Sequence, residues 1–321
     1  MFKYCEYVYE IYKQRSFTKA AKNLFISQPA LSATVKKLEE ELQIQIFDRS
    51  ASPLTLTTEG EAYIKAIEEI FNIKKEYEDY ITDISNLNVG SISISGANFI
   101  SSYVIPKIIV PFSKKYPTIN IELLESNSKT LTQELLSENI DLLIDYNTDE
   151  KLFDSYPLFN ETILLCVPKH LDINSKLTNF SLNSEDIRIG KHFSDDIKKI
   201  TVEHFKNESF LMLKSGNSMN YHGFKICCEA GFSPETFIYF DQLMTSYNMS
   251  AAGLGICFIT DTLVKEVAPN NELLFYKIDS EYAKRTVYLL HKKKRYFNRV
   301  IKEFINTASE VYKSKHTYLE Y

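Results

Sequence analysis

The sequence predicts a multidomain α/β protein, and three observations carry this prediction. Two short amphipathic segments flank a Ser-Gln-Pro turn within residues 16–50. Residues 61–89 contain neither glycine nor proline, and from residue 90 onwards strand-like and helix-like segments alternate. The chain has 321 residues, a length that suits two or three domains.

The composition is typical of a folded intracellular protein. Hydrophobic residues make up 44% of the chain, which is enough for buried cores. The five cysteines have no metal-finger spacing, so reduced thiols in the cytoplasm are the plain interpretation. Residues 1–15 lack the apolar core of a signal peptide, and no apolar run is long enough to span a membrane. We therefore expect a cytoplasmic protein without a membrane partner.

Charge is distributed unevenly along the chain. The net charge is -5, but residues 1–58 contain eight lysines and arginines against six acids and carry +2, so the remainder carries -7. A slightly basic head on an acidic body is compatible with a nucleic-acid partner for the head.

The head has the pattern of two short helices around a tight turn. The apolar face of the first helix consists of Phe17, Ala20, Ala21 and Leu24. Thr18 is its predicted N-cap, whereas Ser27 is predicted to cap the second helix, with Pro29 in the first turn. The buried stripe of the second helix consists of Leu31, Val35, Leu38 and Leu42. This pattern favours a helix-turn-helix whose second helix enters the major groove of DNA, and an ordinary helical hairpin is the alternative that it leaves open.

The segment SFTKAAKNLFISQPALSATVKKLEEELQIQIFDRS, followed by PLTLTTEGE, resembles the N-terminal domain of the LysR-type transcriptional regulators. The shared positions are a phenylalanine before the first short helix, the Ala-Ala pair, Ser-Gln-Pro-Ala-Leu-Ser, Leu-Glu, IFDR and Leu-Thr-x-x-Gly. The resemblance extends more loosely through the rest of the chain. It implies a winged helix-turn-helix domain over residues 1–58, with the helix-turn-helix at about 18–37 and a wing of two paired strands around IQIFDRS and LTLT.

The resemblance also implies which residues face double-stranded promoter DNA. These are Thr18, Ser27, Gln28, Pro29, Ser32, Ala33, Thr34 and Lys36, with Arg49 at the wing for a phosphate or minor-groove contact. Many relatives have an arginine in place of Ala33, and arginine is a leading source of guanine recognition. The operator sequence is therefore not transferable from relatives. For each single polar residue, a solvated surface role is an equally open interpretation.

Residues 59–89 are predicted to form a long linker helix. Its apolar residues alternate in steps of four and three, with an interruption at Lys74: Tyr63, Ile67, Ile70, Tyr77, Ile81 and Ile84. Such a repeat favours a partner helix, and packing on its own domain is the alternative. Together with the family's linker helix, it predicts an antiparallel homodimer that reads two half-sites of a near-palindromic operator. The family implies a tetramer of paired dimers.

Residues 90–321 show two rounds of strand–helix alternation, which predicts parallel sheets covered by helices. By resemblance, this body is a periplasmic-binding-protein-like, two-lobed α/β effector domain. The expected division is lobe 1 at about 90–161 plus 266–295, lobe 2 at about 162–265 and a C-terminal helix at about 295–313.

Ligands of α/β sheets bind beyond the carboxyl ends of the strands, next to helix N-termini. The strand-to-helix turns supply the candidate effector-binding residues Asn98, Phe99, Ser101, Lys129, Asn217 and Gln242. Lys129 is the cation in this set, which favours an anionic effector; a solvated lysine is the open alternative. For the others, a capping or turn role is the plainer interpretation.

Other functions find no support in the sequence. We find no catalytic constellation, no metal-ligand spacing and no cofactor motif, so we expect neither an enzyme nor a bound metal or cofactor. The adjacent Cys227 and Cys228 favour core packing over redox sensing. The basic run at residues 291–295 is by default a solvated edge, with a second DNA-facing patch as the alternative. A solute-binding protein would have no use for residues 1–58.

The predicted function is a LysR-type DNA-binding transcription factor that responds to a small-molecule effector bound between two lobes.

Overall fold

The computed structural model describes residues 4–50, 53–84, 90–146 and 149–316. The chain forms two compact units, Met1–Ile81 and Thr82–Tyr321. Within the described ranges, no helix is both long enough and apolar enough to cross a lipid bilayer.

Helices and a short two-stranded sheet build the described part of the first unit. Their bounds are α1 Cys5–Gln14, α2 Phe17–Asn23, α3 Gln28–Leu42, β1 Phe47–Asp48, β2 Thr55–Leu56 and α4 Thr58–Ile84. The predicted helix-turn-helix is confirmed by α2 and α3, which flank the turn. The predicted wing is present as the antiparallel pair of β1 and β2, with Phe47 opposite Leu56.

Side-chain caps decide where α2 and α3 begin. Ser16, not Thr18, is the N-cap of α2, since its Oγ accepts a hydrogen bond from the backbone N–H of Lys19 at 3.4 Å. The capping prediction for Thr18 is wrong because the helix already begins one residue before it. Ser27 caps α3 as predicted, and its Oγ accepts from the N–H of Ala30 at 3.3 Å.

The helices of the first unit share one hydrophobic core, to which α4 contributes its N-terminal half. The buried side chains include Val8, Ile11, Ala20, Leu31, Val35, Leu38, Ile46, Tyr63, Ile64 and Ile67. Gly60 permits this packing, because a Cβ there would lie 2.0 Å from the carbonyl oxygen of Ile46. The glycine of the Leu-Thr-x-x-Gly motif is therefore required by the close approach of α4 to the segment before β1.

The apolar residues of α4 lie in two environments. Tyr63 and Ile67 of the predicted repeat are buried in the core of the first unit. Further along the helix, Ile73, Tyr77 and Tyr80 are exposed by 67%, 65% and 53%. The side chains of two further members of the repeat lie outside the described residues: Ile81 and Ile84. The first half of α4 thus packs on its own unit, and the second half leaves an apolar face exposed.

The second unit alternates strands and helices. Its first part contains β3 Gly90–Gly96, a π-helical turn Ile100–Val104, α5 Ile105–Lys115, β4 Ile119–Glu125, α6 Ser128–Leu136, β5 Leu142–Asp145 and β6 Phe153–Pro168. Then follow α7 Ile173–Lys176, β7 Ser181–Leu182, α8 Ser184–Arg188, β8 Phe210–Leu213, α9 Ser218–Glu229, β9 Thr236–Phe240 and α10 Leu243–Ala251. The last elements are β10 Ile256–Thr260, α11 Asp261–Glu266, β11 Leu273–Lys277, β12 Lys284–Lys292 and α12 Arg299–His316.

Two sheets, connected through the long strand β6, form two lobes. In the first lobe β3 pairs in parallel with β4 and β5, and β12 pairs antiparallel with β5 and with the first part of β6. In the second lobe β8 pairs in parallel with β9 and β10, and the last part of β6 pairs antiparallel with β10. The parallel pairings agree with the predicted strand–helix alternation.

Three local features differ from the sequence-based expectations. Residues 266–295 were expected in the first lobe, but β11 pairs with Leu164–Pro168 of β6 in the second sheet, so the chain returns to the first lobe only after Lys277. By its sequence, the segment DIKKITVEHF at 196–205 allows a helix, but the structure has a 3-10 turn at Val202–Phe205, preceded by an isolated bridge at Ile200. Of the adjacent cysteines, Cys227 is buried as expected but Cys228 is exposed, since neighbouring residues of a helix face different directions.

Candidate functional site

One face of α3 presents the polar residues that the sequence singles out. Gln28, Pro29, Ala33 and Lys36 are exposed, as is Thr18 on α2. The buried residues of α3 lie on the opposite side: Leu31, Val35 and Leu38. An amphipathic helix with this division can place its polar face in a groove without loss of core packing.

Hydroxyl groups near the start of α3 already serve the helix itself. The Oγ of Ser27 accepts the capping hydrogen bond, and the Oγ1 of Thr34 donates to the carbonyl oxygen of Ala30 at 2.9 Å. Ser32 accepts a hydrogen bond at its Oγ from Nη1 of Arg49 at 3.3 Å. These contacts restrain the side chains, and each hydroxyl oxygen can still form a further hydrogen bond.

Arg49 is held beside α3 by a buried carboxylate. Its Nη2 lies 3.0 Å from Oε2 of Glu39, and its guanidinium lies 4.9 Å from the ring centroid of Phe17. The other carboxylate oxygen of Glu39 accepts from the backbone N–H groups of Ile46 at 2.8 Å and Phe47 at 3.3 Å. Glu39 thereby positions both the wing strand and the arginine that extends from it.

Glu39 was not among the sequence-predicted site residues. The available signal was its position, because it follows Val35 by four residues and therefore lies next to the buried stripe of α3. Lys36 is less restrained: its Nζ lies 3.8 Å from Glu40, and both side chains are largely exposed. Such a surface pair contributes little to stability, so the lysine can exchange its partner for a phosphate.

The second candidate site is a cleft between the two lobes of the second unit. It consists of a larger cavity of about 990 Å³ and a smaller one of about 590 Å³. Both are lined by residues at the starts of α6 and of α9: Ser128, Lys129, Gly216 and Asn217. The strand-to-helix turns meet here because the carboxyl ends of parallel strands lie at one edge of each sheet.

The structure brings together four of the six predicted effector-binding residues. Lys129 and Asn217 line both cavities, and Asn98 and Gln242 line the smaller one. Phe99 and Ser101 lie elsewhere.

Phe99 and Ser101 are buried beneath the start of α5. Phe99 is 6% exposed and packs on Tyr103 with 5.2 Å between ring centroids. The Oγ of Ser101 donates to the carbonyl oxygen of Gly96 at 3.0 Å. The π-helical turn begins directly after Phe99, and neither residue lines the two cavities of the cleft.

Asp145, at the end of β5, lines the larger cavity and was missed by the sequence-based reasoning. It is 4% exposed, and its Oδ1 accepts from the backbone N–H of Tyr146 at 2.8 Å and from Oγ of Ser128 at 3.3 Å. Burial raises the pKa of this carboxyl, and the nearby Arg285 partly opposes the shift. The signal for Asp145 was a polar residue at a strand end, the same pattern that identified the other turns.

His222 contributes a neutral imidazole to the opposite wall. Its Nδ1 lies 2.8 Å from the carbonyl oxygen of Tyr282 and must donate to it. Burial lowers the pKa of His222, so the ring carries no proton on Nε2 at neutral pH. The Nε2 atom is therefore a hydrogen-bond acceptor in a residue that lines the larger cavity.

An ion pair lies behind the larger cavity, where β6 and β12 pass between the lobes. Arg285 donates from Nε at 3.0 Å and from Nη2 at 2.9 Å to one oxygen of Glu161, its partner across the two strands. Its Nη1 donates to Oγ of Ser218 at 3.2 Å, and its guanidinium lies 3.5 Å from the ring centroid of Tyr146. This arginine thus connects the crossing strands to the first residue of α9.

In the basic run at 291–295, Lys293 and Lys294 are exposed, as expected of a solvated edge, whereas the other three residues are paired or buried. Lys292 pairs with Glu138, and Arg295 is buried in an ion pair with Asp141. His291 is 1% exposed. His291, Lys292 and Arg295 therefore do not support the alternative of a second DNA-facing patch. Within the described ranges, no group of three or more histidine, cysteine or acidic residues is placed to hold a metal ion.

Comparison with known proteins identifies the family. A family model described as "Bacterial regulatory helix-turn-helix protein, lysR family" matches residues 2–61, and one described as "LysR substrate binding domain" matches residues 85–313. The chain belongs to the LysR family of transcriptional regulators. It is a DNA-binding transcriptional regulator with an effector-binding domain, and the family is not one of enzymes.

Relatives match over nearly the whole chain. YcgK of Bacillus subtilis strain 168, described as an uncharacterized HTH-type transcriptional regulator, is 27% identical over 317 residues, which cover 96% of this chain and 94% of YcgK. The crystal structure of CbnR, a LysR family transcriptional regulator, has 15% identity and a TM-score of 0.64, with 97% and 99% of the two chains covered. Full-length CbnR has also been solved with its target DNA.

A further structural match is a full-length OxyR variant from Pseudomonas aeruginosa. It shares 21% sequence identity with this chain and has a TM-score of 0.64, and 96% of each chain is covered. At such identities the solved structures show the fold: an N-terminal helix-turn-helix, a linker helix and a C-terminal α/β domain. This confirms the predicted fold class.

Proposed function

We propose that the exposed face of α3, together with Thr18 and Arg49, binds promoter DNA. The observation that carries the proposal is the contact network of Glu39, which holds Arg49 beside the helix that would enter the major groove. Lys36 and Arg49 would neutralise phosphates. Ser27, Gln28, Pro29, Ser32, Ala33 and Thr34 would lie at the base edges or the groove rims.

A salt series tests the DNA-binding surface. Wild type and a Lys36→Ala/Arg49→Ala double variant are titrated with the intergenic DNA beside the gene and with a scrambled duplex. We expect preferential binding to the intergenic fragment, and in the variant a slope of log affinity against log salt that is smaller by about two. A Lys13→Ala/Lys65→Ala variant removes the same charge away from α3 and the wing. Equal affinity for both duplexes, or equal loss in the two variants, would contradict the proposed surface.

We further propose that a small-molecule effector with an anionic group binds between the lobes, in contact with Asn98, Lys129, Asn217 and Gln242. Lys129 supports this because it is exposed where the two cavities meet. The N-termini of α6 and α9, which also line the cavities, offer backbone N–H groups to an anion. Phe99 and Ser101 are buried and lie outside the proposed effector site.

We propose a homodimer, and a tetramer of paired dimers, as the active assembly. Support comes from the exposed apolar face of α4, formed by Ile73, Tyr77 and Tyr80, which a second copy of the same helix would cover. Effector binding would favour one setting of the lobes and thereby change the spacing of the DNA-binding heads. The cytoplasm, where the promoter DNA lies, is the proposed location.

For the domains we propose residues 1–58, 59–89 and 90–321. Lobe 2 would extend to the end of β11, since that strand pairs with the second sheet.

A further inference from the structure

We propose that the effector carries a cationic amine, and that Asp145 binds this amine at the end of the cleft next to the crossing strands. The inference rests on the proposed function, namely that the cleft between the lobes is the effector site. Lys129 is proposed to bind an anionic group of the effector, and Asp145 would bind a cationic one. The effector would then carry both an anionic group and an amine.

The hydrogen bonds of Asp145 leave one carboxylate oxygen for a ligand. Both hydrogen bonds that the carboxylate accepts, from Tyr146 N–H and from Ser128 Oγ, end on Oδ1. Among the residues that the structure describes, none donates a hydrogen bond to Oδ2. Asp145 is nevertheless only 4% exposed, and it lines the larger cavity. Oδ2 is therefore the oxygen that can accept a hydrogen bond from a donor on a ligand in the cavity.

Behind the cavity, acidic groups outnumber the single arginine. Arg285 gives two of its hydrogen bonds to Glu161 and one to Ser218. One guanidinium thus faces two buried carboxyl groups, those of Glu161 and Asp145, and burial raises the pKa of both. A second cation is needed to stabilise both groups in the ionised form.

The lysines of the cavity do not supply this partner. Lys129 and Lys225 line the same cavity, but neither forms an ion pair with Asp145 in the described part of the chain. The Nζ of Lys225 lies instead 5.7 Å from the ring centroid of Tyr221 and 5.9 Å from that of Tyr282. A cationic group on the ligand would provide the missing positive charge.

The opposite wall of the cavity provides a second hydrogen-bond acceptor. The Nε2 of His222 is an acceptor, because Nδ1 donates to the carbonyl oxygen of Tyr282. An ammonium group has several N–H donors and can bond to both a carboxylate and an imidazole nitrogen. Tyr221 and Phe224 add ring surfaces to the same cavity, which suit an apolar body of ring size. The cavity therefore fits an amine with an apolar, ring-sized body.

Three probes with the same phenylethyl body test the inference on the full chain. Phenethylamine carries only the amine, 3-phenylpropionate only the carboxylate, and L-phenylalanine both. Titration calorimetry compares wild type with Asp145→Asn, which retains an acceptor oxygen for Tyr146 and Ser128. We expect both amines to bind wild type and to lose about ten-fold or more in affinity with Asp145→Asn, whereas 3-phenylpropionate binds both proteins equally.

The same titrations separate failure of this inference from failure of the proposed effector site. Suppose that 3-phenylpropionate binds and that its binding depends on Lys129, while neither amine binds. The proposed anion site at Lys129 is then supported, and the inference that the effector carries an amine is overturned. Equal binding of the amines to wild type and Asp145→Asn also overturns it. If none of the three binds at millimolar concentration, the amine class and the ring-sized body are both wrong.

The melting temperature of the protein without ligand tests the same inference independently. Removal of an uncompensated buried charge should raise the melting temperature, so we expect Asp145→Asn to unfold at a higher temperature than wild type near pH 7.5. Asp141→Asn is the matched control, since Asp141 is buried but paired with Arg295, and it should unfold at a lower temperature. A lower melting temperature for Asp145→Asn would show a merely structural role for this carboxylate and overturn the inference.

Discussion

The DNA-facing surface of the first unit and the cleft of the second unit are built differently. Candidate residues of the first all lie between Thr18 and Arg49, mostly on one exposed helix face. Those of the cleft come from strand ends spread between residues 97 and 242. A surface that receives a large partner is thus assembled locally, whereas a cleft for a small ligand depends on distant parts of the chain.

Two buried carboxylates show what this difference means energetically. Glu39 uses both oxygens, one for Arg49 and one for two backbone N–H groups. Asp145 uses one oxygen, and its neighbouring guanidinium is already engaged by Glu161. Glu39 thus holds the proposed DNA-binding surface in place without a ligand, whereas Asp145 has an oxygen that a ligand can still bind. Such local instability is common at binding sites.

The sharpest test of this comparison is Glu39→Ala. It should destabilise the first unit by about 3 kcal/mol, because it leaves the N–H groups of Ile46 and Phe47 and the charge of Arg49 without their acceptor. Binding to the intergenic fragment should be lost as well. Urea unfolding measures the loss of stability, and DNA titration measures the loss of affinity. Glu39→Gln retains one acceptor oxygen, so its stability and its affinity for DNA should lie between those of wild type and Glu39→Ala. Wild-type stability of Glu39→Ala would mean that the carboxylate does not hold the wing.

The exposed apolar face of α4 can be tested as a dimer interface. Tyr77→Asp places a charge in the face proposed to pack on a second copy, and we expect it to weaken dimerisation by about 2 kcal/mol. Sedimentation equilibrium measures the dissociation constant. Tyr12→Asp on α1 alters another exposed tyrosine and should leave the dimer unchanged. The same dissociation constant for wild type and Tyr77→Asp would place the interface elsewhere.

His291 is a buried titratable group of the second unit that we do not assign to a ligand site. Burial lowers the pKa of His291 to about 4, and Arg295 contributes, against opposing effects of Asp154, Asp141 and Glu138. The ring is neutral at pH 7, so it needs no counter-charge in the interior. A depressed folded-state pKa means that stability is retained above pH 6.5 or so and lost as the pH falls towards 4.

The expected loss for wild type is about 1 to 2 kcal/mol by pH 5, relative to a His291→Leu variant measured in parallel. Urea unfolding at pH 7.5 and pH 5 gives the four free energies of unfolding that are required. Parallel pH profiles for the two proteins would refute the assignment of a neutral buried imidazole.

The smallest effect is expected for Lys129→Ala. Its ammonium is exposed, so removal should weaken binding of an anionic effector only several-fold, about 1 kcal/mol. Affinity for DNA without effector should stay at the wild-type value. Lys176→Ala, an exposed lysine at the end of α7, is the control. Unchanged affinity for 3-phenylpropionate in Lys129→Ala would remove this lysine from the site.

Much of the architecture could be predicted because its signals are local. Periodic apolar residues in α2 and α3, the cap at Ser27 and the strand–helix alternation all act within one or two turns of chain. Asn98, Lys129, Asn217 and Gln242 could be selected because each follows a strand. Phe99 and Ser101 satisfied the same rule, yet the π-helical turn after Phe99 directs them into the core. Only the path of the backbone in three dimensions decides such a difference.

The sequence by itself determined the family, the helix-turn-helix, the wing and the two-lobed body, since these follow from short-range patterns and a long run of shared motifs. Tertiary structure alone decided which polar groups are paired. Glu39 and Asp145 are both acids beside apolar stretches, and nothing in their neighbours along the chain separates them. Their difference arises from Arg49, ten residues beyond Glu39, and from Arg285, which reaches Glu161 and not Asp145. Electrostatic pairing depends on distances in space, and these exist only once the chain has folded.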